Sequence, residues 1–587
     1  MVKVSDIIAE FLRANKIKVV FGIIGSANAH IFDSVQRLGY TRIVNMFHEQ
    51  GAVMAMGAHY RATGKLAAAL VTAGAGSSNA ITGILSNWAD SIPGIIIAGQ
   101  ESTNYLVDHK NLRMMGTQGF DSTKMVKDIT KYSVTITDAN KLIEKLNSAI
   151  SATMKPRMGP AWINVPFNIQ SQLIESNLEY FEQPTYTLND INTEEINNII
   201  NNINNSKKPV FIFGNGIRHQ IDRTFLIDFI ETFNIPILLT WAVIDMLPES
   251  HYLNYGRFGL YGQRRGNFVV QNSDLLIIFG SRLSIPQIGY NTKDFAPNSK
   301  IILIDIDTDE VSKLSSIIDK HINADCVSAM PKIKTYLVKE KIEILEKSKW
   351  LQQCNYWKIK YPINQERDYH SEIEQQFINS YVFLDKLSSI LQDNHVIVTD
   401  MGTALLSGHQ ALKLKSNQSL FTSLGLGEMG YGLPGAIGAA VACPDRPILC
   451  LNCDGGMMFN LQELQTIINY ELPIKIIVFN NDGYLMIKHT QKLILEGRYT
   501  TVNKSTGIGL PNYCKLGNAL GYKTMAIKTW DDYDKNIDYF LNCDGPAICE
   551  VFMNPEQEFI PKVKGIVGSD RKIHPTTLDN MSPLIEE

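Results

Sequence analysis

Residues 451–481 read LNCDGGMMFNLQELQTIINYELPIKIIVFNN, and two apolar runs in this stretch end on polar groups. The first run ends on Asp454 with two glycines behind it, and the second run ends on Asn481. These two residues lie 481 − 454 = 27 positions apart, which is about the length of one strand–helix–strand unit. Both therefore reach the same edge of a predicted parallel sheet, and that edge is where α/β proteins bind ligands.

The rest of the chain also alternates apolar, strand-like runs with helical stretches. Examples are VVFGII, AAALVTA and GIIIAGQ near the start, VFIFG, LLIIFG and IILIDID in the middle, and VIVTD, ILCLN and IKIIVFNN near the end. This alternation predicts an α/β architecture with parallel sheets. Two stretches interrupt it, the Asn-rich residues 187–208 and the charged, aromatic residues 339–375. They are candidate domain boundaries.

Two distant segments of the chain share one plan. Residues 68–100 and 448–481 each read as a strand, a glycine-containing loop, a helix, an X-Pro pair and a strand. Pro93 and Pro473 occupy matching places just before the second strand, where a missing N–H is tolerated. Either an internal duplication or the order of elements common to all open α/β units explains the likeness.

Composition excludes several classes of protein. The formal net charge of −4 provides no basic surface for a phosphate backbone, so nucleic acid is not an expected partner. The apolar stretches are interrupted well short of the ~18 residues that a membrane helix needs. The first 18 residues have the pattern of an amphipathic helix rather than of a signal peptide. With eight cysteines in 587 residues, we expect a reduced, cytoplasmic protein without a disulfide scaffold.

Cys450 and Cys453 form a CLNC tetrad that matches half of a zinc or redox site. A zinc site needs a second pair at similar spacing, and the sequence contains none. The tetrad also lies within the strand pattern that runs into Asp454. We therefore predict that both cysteines lie in the core.

The residue types at the two strand ends suit a phosphate bridged to Mg²⁺. Asp454 and the Asn481 carboxamide supply oxygens, a backbone carbonyl just beyond supplies a third, and phosphate and water complete an octahedron. The glycines after Asp454 let the backbone approach a phosphate closely. Taken alone, the residues around Asn481 are typical of a turn, and Asp454 is typical of a helix cap. Their occurrence together at the ends of two strands of one unit favours the metal site.

The pattern C-D-G-G…N-N resembles the thiamine diphosphate fingerprint of pyruvate-utilising enzymes, which reads Gly-Asp-Gly, about two dozen residues, then Asn-Asn. Cys453 stands where that fingerprint has its first glycine. This departure lies beside the metal ligand and removes none. The resemblance implies Mg²⁺ ligands at Asp454, Asn481 and the Gly483 carbonyl, diphosphate contacts at Gly455 and Gly456, and further cofactor contacts at Tyr484 and Met486.

Three other motifs resemble the same enzymes. MFHEQGAVMAMGAHYRATGK places Glu49 at the end of a strand, where those enzymes carry their indispensable glutamate. GLGEMGYGLPGAIGAA resembles the segment that binds the aminopyrimidine, so the resemblance implies ring contacts from the Gly427 carbonyl and the Met429 N–H. The Met429 side chain would bend the cofactor. TDMGTALLSG, with Gly402 and Thr403, resembles the second diphosphate loop.

The likeness covers nearly the whole chain and is greatest for the acetohydroxyacid (acetolactate) synthase branch. GAGSSNAITGILSNWADSIPGIIIAGQ and GTQGFDSTKMVKDITKYS, which contain Gln100 and Phe120, follow that branch, as does FAPNSKIILIDIDTDEV. The resemblance implies three doubly wound parallel-sheet domains. They are a pyrimidine-binding domain over residues 1–180, a central Rossmann-like domain over 190–345, a diphosphate-binding domain over 375–565 and a tail over 566–587.

The resemblance implies catalytic roles for three residues. Glu49 would hydrogen-bond the pyrimidine ring and favour the imino tautomer that deprotonates the thiazolium C2. Taken alone, Glu49 reads as a helix N-terminal carboxylate that the dipole stabilises. Gln100 and Phe120 would line the substrate pocket, although a single Phe is more often part of a core.

The middle of the chain predicts a second cofactor. VFIFGNGIRH places Gly214 and Gly216 after a strand, but no third glycine follows, so the dinucleotide fingerprint is weak. In the resembling synthases this domain holds FAD in an extended, non-redox pose. GSRLS with Arg282 and LIDIDTDEV with Asp305 follow that pattern. The resemblance therefore implies FAD beside thiamine diphosphate and Mg²⁺.

The expected substrates are a 2-oxo acid donor, such as pyruvate, and a carbonyl acceptor. Thr490 stands where the synthases of branched-chain amino acid synthesis place a tryptophan, and losing that ring should widen the acceptor pocket. YLMIKHTQ, EGRY and PTTLDNMSPLI also resemble carboligases of branched-chain sugar biosynthesis. We therefore expect a bulky acceptor, such as a nucleotide-linked keto-deoxysugar. The alternatives are acetolactate synthesis from two pyruvates and simple decarboxylation.

The resemblance also implies an oligomer. In the resembling enzymes thiamine diphosphate lies between the first domain of one subunit and the third domain of its neighbour. Glu49 and Asp454 fall in those two domains here. We therefore expect a homodimer or homotetramer with active sites between subunits.

Overall fold

The computed structural model describes residues 1–106, 112–175, 186, 188–363, 376–563, 565–567, 573–574 and 576–583. These residues form three six-stranded sheets that are flanked by helices, together with short two-stranded sheets. The predicted domain boundaries near residues 180 and 375 fall at least partly outside the described residues. The predicted fold class, three α/β domains with parallel sheets, is confirmed.

The N-terminal domain is built on one parallel sheet. Its strands are β1 Val2–Lys3, β2 Val19–Gly22, β3 Arg42–Asn45, β4 Ala68–Val71, β5 Gly94–Gln100, β6 Tyr132–Thr135, β7 Pro160–Pro166 and β8 Leu173–Ile174. Its helices are Val4–Ala14, Ala29–Leu38, Glu49–Thr63, Ala75–Asn79, Ile81–Ala89, Thr123–Val126, Leu142–Met154 and Phe167–Gln170. The sheet order is β3-β2-β4-β5-β7-β6, and β1 pairs with β8. β4 and β5 are buried along their whole length because helices cover both faces of the sheet.

The central domain has the doubly wound order of dinucleotide-binding sheets. Its strands are β9 Pro209–Phe213, β10 Ile237–Leu239, β11 Asn254–Arg257, β12 Leu275–Phe279, β13 Lys300–Ile304 and β14 Lys320–Ile322. Its helices are Thr193–Asn205, Arg223–Phe233, Arg264–Gln271, Ile285–Ile288, Thr308–Ser312, Cys326–Glu340 and Ser348–Lys360. The sheet order is β11-β10-β9-β12-β13-β14. Counted from its first strand this is 3-2-1-4-5-6, the Rossmann order.

The C-terminal domain repeats the arrangement of the N-terminal domain. Its strands are β15 Val396–Thr399, β16 Ser419–Phe421, β17 Ile448–Cys453, β18 Ile474–Asn480, β19 Lys523–Ile527 and β20 Ala547–Phe552. Its helices are Ser380–Ile390, Thr403–Ala411, Gly432–Ala442, Asp454–Met457, Glu463–Asn469, Leu485–Ile494, Tyr513–Leu520 and Trp530–Asn542. The order β16-β15-β17-β18-β20-β19 matches the first sheet strand for strand. The shared plan of residues 68–100 and 448–481 thus extends to whole sheets.

The tail contributes four short strands, β21 Lys562–Val563, β22 Ile566–Val567, β23 Ile573–His574 and β24 Met581–Ser582. β21 pairs with β24, and β22 pairs with β23. Leu578 is buried against the central domain, where its carbonyl accepts a hydrogen bond from Asn267 at 2.8 Å. The end of the chain therefore returns to the central domain.

The two sequence stretches that interrupt the alternation contain helices of the central domain. Thr193–Asn205 buries four isoleucines at helical spacing, whereas its six asparagines are exposed or half-buried. The asparagines explain why the composition alone suggested a linker. Ser348–Lys360 packs Trp350 into the central domain, and its indole N–H donates to the Pro209 carbonyl at 3.1 Å. This second helix lies beyond the predicted boundary at residue 345.

The N-terminal and C-terminal domains pack through two helices rich in small residues. Glu49–Thr63 lies against Gly432–Ala442 so closely that a Cβ atom on Gly438 would sit 2.3 Å from the Ala55 carbonyl oxygen. Apolar residues of both domains join in one core cluster across this contact. The N-terminal and C-terminal domains of one chain therefore pack tightly against each other.

The structure bears on membrane crossing and on the two cysteines of the CLNC tetrad. Among the described residues, no helix has both the length and the apolar character that crossing a bilayer requires. Cys450 and Cys453 are buried, free thiols, and the described residues contain no cluster of three or more metal-binding side chains around them. The CLNC tetrad therefore belongs to the core, as predicted.

Candidate active site

The polar ends of β17 and β18 meet in the structure. Asp454 follows β17, is fully buried, and accepts hydrogen bonds from the backbone N–H groups of Gly455 (2.7 Å), Asn481 (2.9 Å) and Gly483 (3.1 Å). Both carboxylate oxygens have donors, so this one side chain ties the two strand ends together. The ends of β17 and β18 thus form one compact pair of loops.

The Asn481 side chain presents an oxygen that no described residue uses. Its amide nitrogen donates to Thr403 Oγ1 at 3.4 Å, whereas its Oδ1 is buried without a hydrogen-bond partner among the described residues. A buried amide oxygen left unpaired is costly. A cation beside Asp454 would be ligated by this oxygen and would offset the cost.

The electrostatics of Asp454 also fit a bound cation. Burial raises the pKa of Asp454 to about 7, although its N–H partners lower it in part. A divalent cation would supply the missing counter-charge and favour the carboxylate. The available donors are carboxylate, carboxamide and carbonyl oxygens, which is the set that Mg²⁺ prefers. The residues present therefore fit a Mg²⁺ site.

Glycines allow the loop backbone to pass closely here. A Cβ atom on Gly455 would lie 2.4 Å from the Tyr484 ring, and one on Gly456 would lie 1.7 Å from Asp400 Oδ2. Gly483 has a φ of +136°, which side-chain-bearing residues rarely adopt. The glycines are thus required by the close packing of these loops on Tyr484, Asp400 and Val502.

The second predicted diphosphate loop adjoins the first. Gly402 has a φ of +112° and starts the helix Thr403–Ala411, whose first residue contacts Asn481. The Cys453 thiol lies beneath this loop and accepts a hydrogen bond from the Ala404 N–H at 3.3 Å. The residue that departs from the fingerprint therefore supports the loop and leaves the ligands in place.

The loop predicted to bind the aminopyrimidine faces the diphosphate loops. Gly427 has a φ of +72°. Met429 lies close to the first loop, because a Cβ atom on Gly455 would be 3.4 Å from the Met429 Cε. Met486, by contrast, packs partly buried against the hydrophobic core. The structure thus places Met429 and Tyr484 next to the Asp454 loop and Met486 at the margin of the core.

Glu49 is the first residue of the helix Glu49–Thr63 and is 7% exposed. Its Oε2 accepts a hydrogen bond from the Asn79 side chain at 3.0 Å. The preceding Phe47 N–H donates to Oε1 of Glu463, which belongs to the C-terminal domain, at 3.1 Å. Asn79 therefore fixes Glu49 within its own domain, and Glu463 of the C-terminal domain binds the backbone just before it.

Gln100 and Phe120 lie together at the end of β5. Gln100 is buried, and its amide nitrogen donates to the Phe120 carbonyl at 2.9 Å. Gln118 packs against Gly74, which precedes the helix Ala75–Asn79. The predicted catalytic residues of the N-terminal domain therefore share one edge of its sheet.

Within one chain, the described contacts of Glu49 lie in its own domain, and Phe47 contacts Glu463. No described contact joins Glu49 to Asp454 or Asn481. Large apolar side chains are exposed in both domains. They are Ile24 and Phe47 in the N-terminal domain, and Met458 and Phe459 just beyond the Asp454 loop. Each half of the predicted site thus carries exposed apolar surface.

Three profiles of one enzyme family match the chain in order. They are the N-terminal TPP binding domain of thiamine pyrophosphate enzymes over residues 2–125, the central domain over residues 196–333, and the C-terminal TPP binding domain over residues 400–551. Together they cover most of the 587 residues. The chain belongs to the thiamine pyrophosphate (thiamine diphosphate) enzymes.

Similar proteins narrow the family to the acetolactate synthase-like enzymes. The acetolactate synthase isozyme 1 large subunit of Escherichia coli is 29% identical over 566 residues, which are 95% of each chain. A probable acetolactate synthase large subunit of Methanococcus aeolicus is 28% identical over 94% of this chain and 92% of its own. The mitochondrial acetolactate synthase catalytic subunit of Saccharomyces cerevisiae is 27% identical over 97% and 83%.

This thiamine diphosphate enzyme also has a cavity of about 630 Å³ between its three domains. Gly216, Arg282 and Asp305 line it on the central domain, and Leu426 and Gly427 line it on the C-terminal domain. Gly214 does not line the cavity. A Cβ atom on Gly214 would lie 2.4 Å from a neighbouring carbonyl oxygen, so this glycine serves strand packing instead.

Two charged side chains of the cavity suit a nucleotide. Arg282 makes no hydrogen bond or ion pair with any described residue, so its guanidinium is available to a phosphate. Burial raises the pKa of Asp305, although the Asp307 N–H that it accepts from lowers it in part. A hydroxyl-bearing ligand would supply donors to that carboxylate. The cavity therefore fits a dinucleotide such as FAD.

Sequence reasoning missed three buried carboxylates of this thiamine diphosphate enzyme. Asp90, Asp400 and Glu463 each accept hydrogen bonds from backbone N–H groups of a predicted site segment. Asp400 is the one that a sequence signal marked, because it ends the apolar run VIVTD. Glu463 begins a helix and Asp90 follows one, and the backbone partners of both lie hundreds of residues away in the sequence.

Proposed function

We propose that this enzyme uses thiamine diphosphate and Mg²⁺ to decarboxylate pyruvate, or a similar 2-oxo acid, and joins the resulting acyl unit to a carbonyl acceptor. When bound, the cofactor supplies the nucleophilic carbon and the electron sink for loss of carbon dioxide. The observation that carries this proposal is the buried, unpartnered Asn481 Oδ1 beside Asp454. It supports a metal between these two side chains.

The roles of the chain's own residues follow from their positions. Asp454, Asn481 and the Gly483 carbonyl would hold Mg²⁺, and the glycine-lined loops would bind the diphosphate. Gly427 and Met429 would bind and bend the ring system. Such loops orient the cofactor and need no rearrangement during turnover.

Glu49 would exchange a proton with the aminopyrimidine. Its carboxyl is buried, fixed by Asn79 and placed at a helix N-terminus, so its position is well defined. A fixed carboxyl of this kind serves as a general acid and base. Gln100 and Phe120 would bound the substrate space on the same sheet edge.

The first candidate acceptor is a second pyruvate, which gives acetolactate. The relatives named acetolactate synthases span nearly the whole chain and support it. The second candidate is a bulkier carbonyl compound, such as a nucleotide-linked keto-deoxysugar. Thr490 supports this candidate because it is exposed on the helix Leu485–Ile494 and presents only a small side chain there.

One experiment separates these acceptors. Purified enzyme with thiamine diphosphate and Mg²⁺ receives pyruvate alone, and then pyruvate with candidate keto-sugars, and the products are identified by mass. Rapid acetolactate formation from pyruvate alone would support the first candidate. A product that combines an acetyl unit with the sugar, at a higher rate, would support the second. Acetaldehyde as the sole product would contradict carboligation.

We propose that the cavity of about 630 Å³ binds FAD. Two side chains that line the cavity support this, Arg282 for a phosphate and the half-buried Asp305 for a hydroxyl. Protein saturated with FAD and then desalted should retain a flavin absorbance that Arg282→Ala reduces. Arg13→Ala, a change of an exposed arginine in the N-terminal domain, is the control. A wild-type protein that retains no flavin would contradict this part of the proposal.

We propose that the active enzyme is at least a homodimer with thiamine sites between subunits. The exposed apolar side chains near Glu49 and near the Asp454 loop support this, because association would cover them. The homodimer or homotetramer expected from the sequence remains a proposal, and a monomer that is fully active would contradict it.

A further inference from the structure

The loop between β16 and the helix Gly432–Ala442 is held at its start by a different domain. Asp90, which follows the helix Ile81–Ala89 of the N-terminal domain, accepts the Leu424 N–H at 3.1 Å and the Gly425 N–H at 2.8 Å. A Cβ atom on Gly425 would lie 2.6 Å from the Ala89 carbonyl group. The loop therefore sits directly on the end of that helix.

Asp90 is itself fixed by a buried ion pair. Arg61, on the helix Glu49–Thr63, lies 2.5 Å from Asp90 Oδ2, and the two side chains are only 3% and 11% exposed. Each side chain compensates the charge of the other. The carboxylate is thus presented to the loop in one position.

A second aspartate holds the other end of the loop. Asp400, which follows β15, is fully buried, and its Oδ1 accepts the Gly430 N–H at 2.9 Å and the Gly432 N–H at 3.2 Å. Asp400 belongs to the C-terminal domain, whereas Asp90 does not. Two carboxylates from two domains therefore bracket residues 424–432.

The segment between the two clamps leaves its backbone available. Leu426, Gly427 and Met429 make no backbone hydrogen bond with any described residue. The Gly427 carbonyl and the Met429 N–H are the groups that the proposed function assigns to the aminopyrimidine. Within the span the Glu428 carboxylate accepts a hydrogen bond from Ser423 Oγ at 2.6 Å. The two aspartates fix the backbone at the two ends of the span.

We propose that Asp90 and Asp400 are positioning residues that hold Leu426–Met429 in the geometry that binds the aminopyrimidine ring of thiamine diphosphate. Because Asp90 belongs to the N-terminal domain, that domain fixes one end of the segment. The proposal rests on the proposed function, because it assumes that thiamine diphosphate is the ligand. Neither aspartate touches the reacting atoms.

Asp90→Asn tests the clamp. An amide has one acceptor oxygen, so its NH₂ group would face one of the two loop N–H donors and lose that bond. We expect thiamine diphosphate, titrated with Mg²⁺ present, to bind about tenfold to a hundredfold more weakly. The diphosphate half of the site should be unaffected. Inorganic pyrophosphate with Mg²⁺, used as a competing ligand that lacks the ring, should bind as it does to wild type.

Two further variants make the result decisive. Asp90→Glu keeps the charge that Arg61 requires and moves the carboxylate, so thiamine diphosphate affinity should fall less than in Asp90→Asn. If Asp90→Asn does not fold, Asp90→Glu replaces it in the test. Glu249→Gln disrupts a buried carboxylate beside Arg265 in the central domain and should leave both affinities unchanged. Unchanged thiamine diphosphate affinity in both Asp90 variants would overturn the inference, as would an equal weakening of pyrophosphate. Wild-type protein that binds pyrophosphate but no thiamine diphosphate would overturn the proposed function instead.

Discussion

A single carboxylate, Asp454, organises the proposed metal site because three backbone N–H groups converge on it from two strand ends. Its position could be predicted, since a polar residue that ends a buried strand marks the binding edge of a parallel sheet. The same holds for Asn481. The unpartnered Oδ1 of Asn481 could not be predicted, because it depends on which neighbours the fold supplies.

Glu49→Gln should separate cofactor binding from turnover. The amide keeps the size of the side chain and can still accept from Asn79, but it cannot exchange a proton. We expect kcat to fall by about 10²- to 10⁴-fold, with thiamine diphosphate affinity nearly unchanged. Steady-state kinetics and cofactor titration measure the two effects. Glu195→Gln, in the first turn of a central-domain helix, is the control, and full activity in Glu49→Gln would contradict the assigned role.

Glu463 should make the stability of the cofactor-free enzyme depend on pH. Burial raises the pKa of Glu463 to about 7 from an ordinary value of 4.5. Between these values the unfolded chain has lost the proton and the folded chain retains it, so stability falls as pH rises. Glu463→Gln cannot titrate. Its free energy of unfolding relative to wild type should therefore rise by up to about 3 kcal/mol from about pH 5 to about pH 8.

Unfolding curves of both proteins at several pH values measure this difference. Glu471→Gln, a change of an exposed glutamate near the same helix, is the control. A difference between Glu463→Gln and wild type that stays constant with pH would contradict the prediction.

At the level of elements, the strands and helices near the site follow from the pattern of apolar residues. The runs ILCLN and IKIIVFNN became β17 and β18, and the Pro before β18 stands at its predicted place. The helix Thr193–Asn205 was harder to predict, because asparagines dominate its exposed face. Its isoleucines, at helical spacing, were the signal that composition obscured.

Gly438→Ala tests the packing of the two helices that join the outer domains. A Cβ atom there would lie 2.3 Å from the Ala55 carbonyl oxygen, so the helices must separate. Although alanine favours a helix over glycine by about 1 kcal/mol, we expect a net loss of about 1–3 kcal/mol of stability. Gly408→Ala, in another helix whose nearest neighbour lies 3.5 Å away, should be neutral or stabilising. Equal effects of the two changes on the unfolding midpoint would contradict this packing.

At the level of the whole molecule, the roles of Asp90 and Glu463 depend on long-range contacts that the sequence does not reveal. The Leu424 N–H and Asp90 are 334 residues apart in sequence, and the Phe47 N–H and Glu463 are 416 apart. No sequence pattern around Asp90 or Glu463 predicts these contacts. The three-domain order, in contrast, follows from strand and helix alternation that is local.

Mixing two inactive variants tests whether sites lie between subunits. Glu49→Gln and Asp454→Asn should each be inactive alone. If each site takes Glu49 from one chain and Asp454 from the other, half of the randomly formed dimers are mixed, and each mixed dimer has one intact site. Activity after refolding or subunit exchange should therefore reach about one quarter of wild type. Activity that stays at the level of the separate variants would contradict shared sites.

The proposed metal site itself is tested by titrating cofactor-free enzyme with thiamine diphosphate, with and without Mg²⁺, in wild type and in Asp454→Asn. We predict saturable binding to wild type that requires Mg²⁺, and an affinity about a hundredfold weaker in the variant. Binding that is indifferent to Mg²⁺, or equally tight in Asp454→Asn, would contradict a cofactor held through a cation at the ends of β17 and β18.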